Sequence, residues 1–303
     1  MQQLTRGVAC GMAAGALWGT VFMAPLWASD FTPLQLSAGR YLAYGVVAAG
    51  LLLPRWRSVV PGLGWREWLV LAWLSLLGNI LYYLLLASAV QRGGVAMTSL
   101  MIGFMPVAIA LIGYYRQRKP PLFRLLPSLL LGLAGVLCIV WPSLHSARQA
   151  AGNHPLTGLL CAVGALVSWT WFAVSNSHSL SRLQHISAGD WSLLLGVVTG
   201  IESLLLIVPS LQDSTAHGAS DWLRFAAVSA GIALFASVIG NAFWNRMSRL
   251  LPLTMTGQMI LFETLFALLY SFLWAWRGPT LWETLAAFLL MISVLLSVSS
   301  HRH

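Results

Sequence analysis

The sequence predicts an all-α integral membrane protein with ten transmembrane helices, arranged as two five-helix inverted-topology repeats. The first observation is composition: 58% of the 303 residues are hydrophobic and 8% are charged, whereas a soluble domain has roughly 25% charged residues. The second is a series of ten apolar stretches, each close to the roughly 20 residues that cross a bilayer core. The third is a similarity between the two halves of the chain. Because no long hydrophilic segment is left over, we expect one membrane domain.

The ten apolar stretches follow one another with short loops between them. They cover residues 5–27, 34–53, 67–89, 94–115, 122–141, 157–177, 190–210, 222–245, 252–275 and 281–299. The first resembles a secretory signal peptide, because Arg6 precedes an apolar run. That run continues past Ala24 and is longer than a typical signal-peptide core, so an uncleaved helix is the preferred interpretation.

The net charge of +9 is explained by topology rather than by a nucleic-acid surface. With the N-terminus in the cytoplasm, twelve Lys and Arg residues fall inside, four fall outside, and Arg40 lies within a span. The outside residues are Arg92, Arg148, Arg224 and Arg277. This asymmetry follows the positive-inside rule. It predicts that both termini are cytoplasmic, in a bacterial-type inner membrane.

Internal similarity predicts two repeats, residues 1–145 and 154–303. The segment FMPVAIALIGYYRQRKPPLFRLL (104–126) aligns with FETLFALLYSFLWAWRGPTLWET (262–284), and GNILYY (78–83) with GNAFWN (240–245). Near the front of each half, Gly7 aligns with Gly158 and Trp18 with Trp169. Five spans in each half would insert the second half upside down. Inverted repeats of this kind place a binding site near the membrane midplane, between the halves.

Four motifs make the sequence similar to the EamA-type exporters of the drug/metabolite transporter superfamily. They are ALWGTVF in helix 1, AGRYLAYG with Arg40 in helix 2, GFMPVAIAL in helix 4 and LFETLFALL in helix 9. The chain departs from the family pattern at Thr264, where Pro is usual, and lacks the usual glutamates at the ends of helices 4 and 9. The resemblance implies a secondary transporter, with export by alternating access. It leaves the substrate open, because the family transports many kinds of metabolite.

Glu263 is the strongest candidate for a functional residue. It is the single formal charge between Arg249 and Arg277, in a long apolar run. An ionised group costs a few kcal/mol there on insertion scales. One interpretation is a structural acid that bonds neighbouring helices. The preferred one is a substrate ligand or a protonation site that faces a polar cavity.

Arg40 and Glu202 are the other charges deep within spans. By residue count the depth of Arg40 matches Glu202 better than Glu263, so we expect intramembrane charge pairing or coupling, with pairing to Glu263 as the alternative. Helix 1 also carries Gly7, Gly11, Gly15 and Gly19 at four-residue spacing, which predicts a close helix contact.

Further candidates for the substrate site are polar or aromatic residues near the middle of spans. Most of the fifteen Trp residues fall near span ends, as in an interfacial belt, whereas Trp18 and Trp169 fall mid-span at matching places. Mid-membrane amides and phenols either bridge helices or face a wet cavity. The set comprises Glu263, Trp18, Trp169, Asn79, Tyr82, Tyr83, Asn241, Asn245 and Gln258.

We therefore expect an exporter of small metabolites such as amino acids or amino-acid-derived compounds. The alternatives are export of other amphipathic drugs, metabolites or metallophores, or a channel or scaffold without a transport cycle. An enzyme is disfavoured, since the sequence contains no GxSxG, HExxH or paired aspartates. Neither Cys10, Cys138 and Cys161 nor the histidines have ligand spacing, so no metal or cofactor is expected. Partners are the substrate and the lipid bilayer, not nucleic acid. Proton coupling and the choice between monomer and homodimer stay open.

Overall fold

Helices form all of the regular structure in the part of the chain that the structure describes. The structure, a computed structural model, describes residues 2–109, 112, 126–135, 137–138, 155–183, 186–212, 217–250 and 253–299. The linker between the predicted repeats and the C-terminal residues 300–303 lie outside these ranges. No β-strand occurs within them, which confirms the all-α fold class.

Ten helical segments are named here in chain order. They are α1 (Gln2–Gly19), α2 (Pro33–Leu52), α3 (Trp65–Gly93), α4 (Val95–Ile109), α5 (Leu126–Gly135), α6 (Pro155–Arg182), α7 (Ala188–Ser210), α8 (the consecutive segments Ala219–Ile232, Ala233–Gly240 and Asn241–Leu250), α9 (Leu253–Trp274) and α10 (Leu281–Ser299). Short helical turns, Thr20–Phe22 and Ala24–Trp27, extend α1 towards the first loop.

Within the described ranges, six helical spans are long and apolar enough to cross a membrane. They are Gln3–Trp27, Pro33–Gly62, Trp65–Gly93, Leu156–Asn176, Gly189–Ser210 and Ala219–Trp244. The other four predicted spans coincide with shorter apolar helices, Val95–Ile109, Leu126–Gly135, Met259–Trp274 and Leu281–Ser293. Six predicted spans are thus confirmed, while the count of ten and the two-repeat organisation stay predictions.

Local sequence explains where several helices begin. Thr32 caps α2 by accepting a hydrogen bond from the Gln35 backbone N–H, the Gln35 side chain accepts one from the Thr32 N–H, and Pro33 occupies the first turn. In the same way Thr280 and Glu283 exchange bonds at the start of α10. These caps satisfy backbone donors at helix ends, where the helix itself supplies no acceptor.

Three glycine contacts set the helix packing. Gly15 and Gly19 bring α1 against the backbone of α9, and Gly45 lies against Gly200 where α2 crosses α7. Gly158 on α6 lies against the backbone of Gly93 on α3. Small residues at these points let the backbones approach closely, as is typical of helix pairs in membranes. The contact predicted from the glycine spacing of helix 1 is confirmed, and its partner is α9.

Large apolar side chains are found on the outside as well as in the core. Leu205 is 78% exposed and Val46 73% exposed, although both lie in the middle of long helices. Fully buried residues such as Phe22, Tyr41 and Tyr83 form a central core instead. A surface of exposed Leu and Val side chains on long helices suits hydrocarbon rather than water as the solvent.

Candidate functional site

Arg40 on α2 lies in the centre of the described helices and is buried. Its guanidinium carbon is 4.3 Å from the ring centroid of Tyr83 and 5.1 Å from that of Tyr41, so aromatic faces hold the cation. Nη2 donates a hydrogen bond of 3.3 Å to Ser237 Oγ on α8. Nε and Nη1 are buried with no hydrogen-bond partner among the described residues. Arg40 is therefore held by groups on three helices, and two of its nitrogen donors have no partner among the described residues.

Glu263 on α9 shares this environment without contacting Arg40. The two charges interact electrostatically, and Glu263 also acts on the hydroxyl of Tyr82. The ion pairs of the described residues join other groups, and neither charge takes part in one. A partly buried carboxyl group and a buried guanidinium thus interact at this place, with tyrosine side chains of α2 and α3 around them.

Packing between α1 and α9 fixes the position of Glu263. A Cβ atom at Gly15 would lie 2.6 Å from Phe262 Cβ and 2.9 Å from the Glu263 backbone nitrogen. The next residue, Thr264, is buried, and its hydroxyl donates a 3.3 Å hydrogen bond to the Ser99 carbonyl of α4. Thr264 therefore joins α9 to α4 through its hydroxyl group.

Two helices change to π-helical geometry beside the site. The π segments are Leu76–Leu81 within α3 and Ala233–Gly240 within α8. The first overlaps GNILYY (78–83), and the second ends at the first residue of the similar segment GNAFWN (240–245). Side chains of neighbouring helices donate to carbonyl groups in these segments. Trp18 Nε1 bonds Ala236 O at 3.0 Å, and Ser168 Oγ bonds Leu77 O at 2.7 Å. π turns are rare and frequent at functional sites.

The two predicted site tryptophans occupy separate places. Trp18 lies 4.9 Å from Trp244 between ring centroids and is partly buried. Trp169 lies 6.4 Å from Tyr82 and 5.8 Å from Phe172. Each tryptophan packs against a π-containing helix, α8 for Trp18 and α3 for Trp169. Tyr82 is the ring neighbour of Trp169 and interacts electrostatically with Glu263, whereas Trp18 lies one helical turn beyond Gly15.

Glu202 forms its contacts away from Arg40. Its Oε2 atom lies 2.6 Å from Ser75 Oγ on α3, and Ser75 Oγ lies 2.8 Å from Thr199 Oγ1. Asn79 Nδ2 donates to the same Thr199 hydroxyl at 2.8 Å. The expected pairing of Arg40 with Glu202 is not present, because Glu202 projects from α7 towards α3 rather than towards Arg40. Asn79 bridges helices here rather than facing Glu263.

Of the three remaining predicted site residues, one has a side chain that the structure describes and two do not. Asn241 forms a side-chain hydrogen bond with Tyr44, whose hydroxyl also donates to the Ser192 carbonyl at 3.1 Å. The side chains of Asn245 and Gln258 lie outside the described part of the chain. Sequence reasoning missed Tyr41, Ser75, Thr199 and Ser237, which complete the polar contacts of Arg40, Asn79 and Glu202. Their hydroxyl groups within apolar spans were the available signal.

Comparison with known proteins identifies the family. The EamA-like transporter family matches residues 5–141. Inner membrane protein YtfF of Escherichia coli (strain K12) is 32% identical over 307 residues, which cover 96% of this chain and 94% of that protein. The chain belongs to the EamA-like transporter family. The predicted resemblance to the drug/metabolite transporter superfamily is thereby confirmed, and the chain is a multi-pass inner-membrane protein of a transporter family.

More distant similarity extends over most of this EamA-like chain. The uncharacterized transporter YdeK of Bacillus subtilis (strain 168) is 29% identical over 80% of this chain and 79% of its own length. A solved crystal structure matches with a TM-score of 0.61 and 20% identity, over 98% of both chains. That structure supports the fold alone.

Proposed function

We propose that the chain is a secondary transporter that exports small metabolites, such as amino acids or amino-acid-derived compounds, by alternating access. The observation that carries this proposal is the group formed by the buried Arg40 and Tyr82–Tyr83 and the partly buried Glu263, between α2, α3, α8 and α9. Charged side chains within a membrane are energetically costly, and those that occur usually mark a transport pathway or a binding site. Membership of a transporter family and the presence of this charged centre together favour a substrate site there.

In this proposal Glu263 binds the ammonium group of the substrate. A carboxylate that is partly shielded from solvent and has no ion-pair partner attracts a cation more strongly than one in water does. Tyr82 and Trp169 form an aromatic wall beside it, at a ring separation of 6.4 Å, and would take up an apolar part of the substrate. Trp18, on the other side, packs against α8 and shapes the wall through that helix.

The predicted inverted-repeat architecture would permit alternating access. The π segments occur in α3 and α8, which are corresponding helices of the two proposed halves, and each accepts a bond from a helix that opens a half. Rocking of one half against the other would expose a central site to each side in turn. With the N- and C-termini cytoplasmic, as the distribution of basic residues favours, α2 leads from the outside towards the cytoplasm.

Mass spectrometry of spent growth medium tests this proposal. Cells expressing the wild type are compared with cells expressing Glu263→Gln at equal membrane levels. The matched control is Glu67→Gln, which makes the same change at the start of α3, where Glu67 Oε2 accepts a 2.9 Å bond from the Gly64 backbone and a Gln oxygen can do the same. We expect a compound enriched outside with the wild type and Glu67→Gln but not with Glu263→Gln. Identical media for all three would contradict export through Glu263.

A further inference from the structure

Arg40 is a buried cation that the described helices leave largely unpaired. It is 9% exposed, and a guanidinium carries five N–H donors. Its hydrogen-bonding partners are neutral: Ser237 Oγ accepts from Nη2 at 3.3 Å, and the Tyr83 hydroxyl also interacts with the guanidinium. Nε and Nη1 are buried without a partner in the described part of the chain. Because buried charges are normally paired, this arrangement is typical of a site for an anion.

The surroundings fix the guanidinium rather than neutralise it. The rings of Tyr83 and Tyr41 hold it at centroid distances of 4.3 and 5.1 Å. The Tyr41 hydroxyl is itself fixed, since it donates to the Asn79 carbonyl in the π segment of α3 at 2.9 Å. An arginine stacked in this way is preorganised, so little side-chain entropy is lost when it binds a planar anion.

Arg40 acts electrostatically on the Glu263 carboxyl group, yet the two form no ion pair. If their purpose were to neutralise each other, direct contact would give the larger stabilisation. A cation and an anion held near each other but apart can instead bind the two opposite charges of one ligand. In an α-amino acid the ammonium group and the carboxylate group are bonded to the same carbon atom.

We propose that Arg40 binds the carboxylate of the transported molecule. The substrates are then zwitterions with a free carboxyl group, such as α-amino acids or derivatives that keep that group. This inference rests on the proposed function and narrows it. Amines and amino-acid amides retain the ammonium group for Glu263 but offer no anion to Arg40. A guanidinium–carboxylate pair forms short, strong hydrogen bonds, and a buried site built for it rejects analogues that leave its donors unpaired.

A purely structural role for Arg40 makes a different prediction. If Arg40 mainly joins α2 to α8 through Ser237, Arg40→Gln should lower the melting temperature of the ligand-free protein. If Arg40 is a ligand-binding group, replacing an unpaired buried cation with a neutral amide should leave that temperature unchanged or raise it. Arg40→Lys keeps the positive charge, but as a point charge without the planar fork, and serves as the conservative variant.

Ligand-dependent thermal unfolding of the purified full chain in detergent tests the proposal. The probes are the standard L-amino acids and, for each one that stabilises the wild type, its carboxamide and its decarboxylated amine. A bound ligand stabilises the folded state by RT ln(1 + L/Kd), where L is the ligand concentration, so the melting temperature rises with the ratio of ligand concentration to Kd. We expect a rise of several degrees with the acids, and apparent affinities about 100-fold weaker with the amides and amines. Arg40→Gln should lose the response to the acids, and Arg40→Lys should keep a weaker one.

The outcomes separate this inference from the proposed function. Amides or amines that stabilise the wild type as well as the acids would overturn carboxylate binding by Arg40 and leave transport standing. An equal response to acids in the wild type and in Arg40→Gln would do the same. If no amino acid stabilises the wild type, the carboxylate site is refuted, while the spent-medium comparison still decides whether the chain exports another compound. Because the comparison of ligands uses the wild type, it does not depend on how the variants fold.

Discussion

Gly15→Ala tests the contact that positions Glu263. A methyl group at Gly15 would lie 2.6 Å from Phe262 Cβ, which is 0.8 Å short of the 3.4 Å at which ordinary contact begins, and 2.9 Å from the Glu263 backbone nitrogen. Backbone atoms cannot rotate away, so α1 and α9 must separate. Overpacking of this kind costs about 1–3 kcal/mol, or a fall of roughly 2–6 °C in melting temperature at about 2 °C per kcal/mol.

Gly231→Ala in α8 is the matched control, because nothing lies within 4 Å of a Cβ atom at Gly231. Removing a glycine from a helix interior there should stabilise the protein by about 0.5–1 kcal/mol. Both variants are compared with the wild type by thermal unfolding in detergent and by export of the compound found in the medium. Gly15→Ala should lose stability and export, and Gly231→Ala should lose neither. Equal melting temperatures for the two variants would refute the close contact between α1 and α9.

Three further predictions concern side chains around the site. Ser75→Ala should destabilise the protein by about 1–3 kcal/mol, because it removes the hydroxyl group that donates to Glu202 at 2.6 Å. Glu202→Gln should unfold near the wild-type temperature. A lower melting temperature for Glu202→Gln than for Ser75→Ala would contradict this account. Tyr83→Phe should keep the ring face over Arg40, and Tyr83→Leu should lose about 0.5–2 kcal/mol of cation–π stabilisation. Equal melting temperatures for these two variants would argue against the stacking. Trp18→Phe should lose the 3.0 Å bond to the Ala236 carbonyl and about 1 kcal/mol, which a wild-type melting temperature would exclude.

Composition and hydropathy were sufficient to predict the all-α membrane fold, because apolar length and charge asymmetry are properties of single segments. The glycine spacing in helix 1 predicted a close contact but not its partner, since spacing describes one face of one helix. Glu263 was recognised because a charge in a long apolar run is conspicuous. Its neighbours depend on which helices meet, and that information lies in the packing.

The expected pairing of Arg40 with Glu202 shows the limit of predicting contacts by counting residues along spans. The helix pair α2 and α7 places Gln35 beside Ser210 and Gly45 beside Gly200, so residue 40 is level with about residue 205. Glu202 is therefore about one turn away in height, and it also projects towards α3. Counting along a span gives depth but not the direction in which a side chain points.

The π segments and the buried hydroxyl groups were not predictable from pattern. Leu76–Leu81 and Ala233–Gly240 are mostly apolar stretches, and the donors that bond their carbonyl groups, such as Trp18 and Ser168, come from other helices. Serine and threonine inside helices usually bond their own helix, as Thr199 also does with the Leu195 carbonyl at 2.7 Å. A hydroxyl group within an apolar span therefore indicates a polar contact, but not which helix provides the partner.

Counterflow in proteoliposomes is the most direct test of the central claim that this chain alone transports a substrate through a site containing Glu263. Purified wild type, Glu263→Gln and Glu67→Gln are reconstituted, and uptake of a mixture of isotope-labelled L-amino acids is followed into vesicles preloaded with the same unlabelled compounds. The account predicts saturable uptake that the internal compound accelerates, present in the wild type and Glu67→Gln and lost in Glu263→Gln. Uptake that rises linearly with concentration, or that Glu263→Gln carries as well as the wild type, would contradict it.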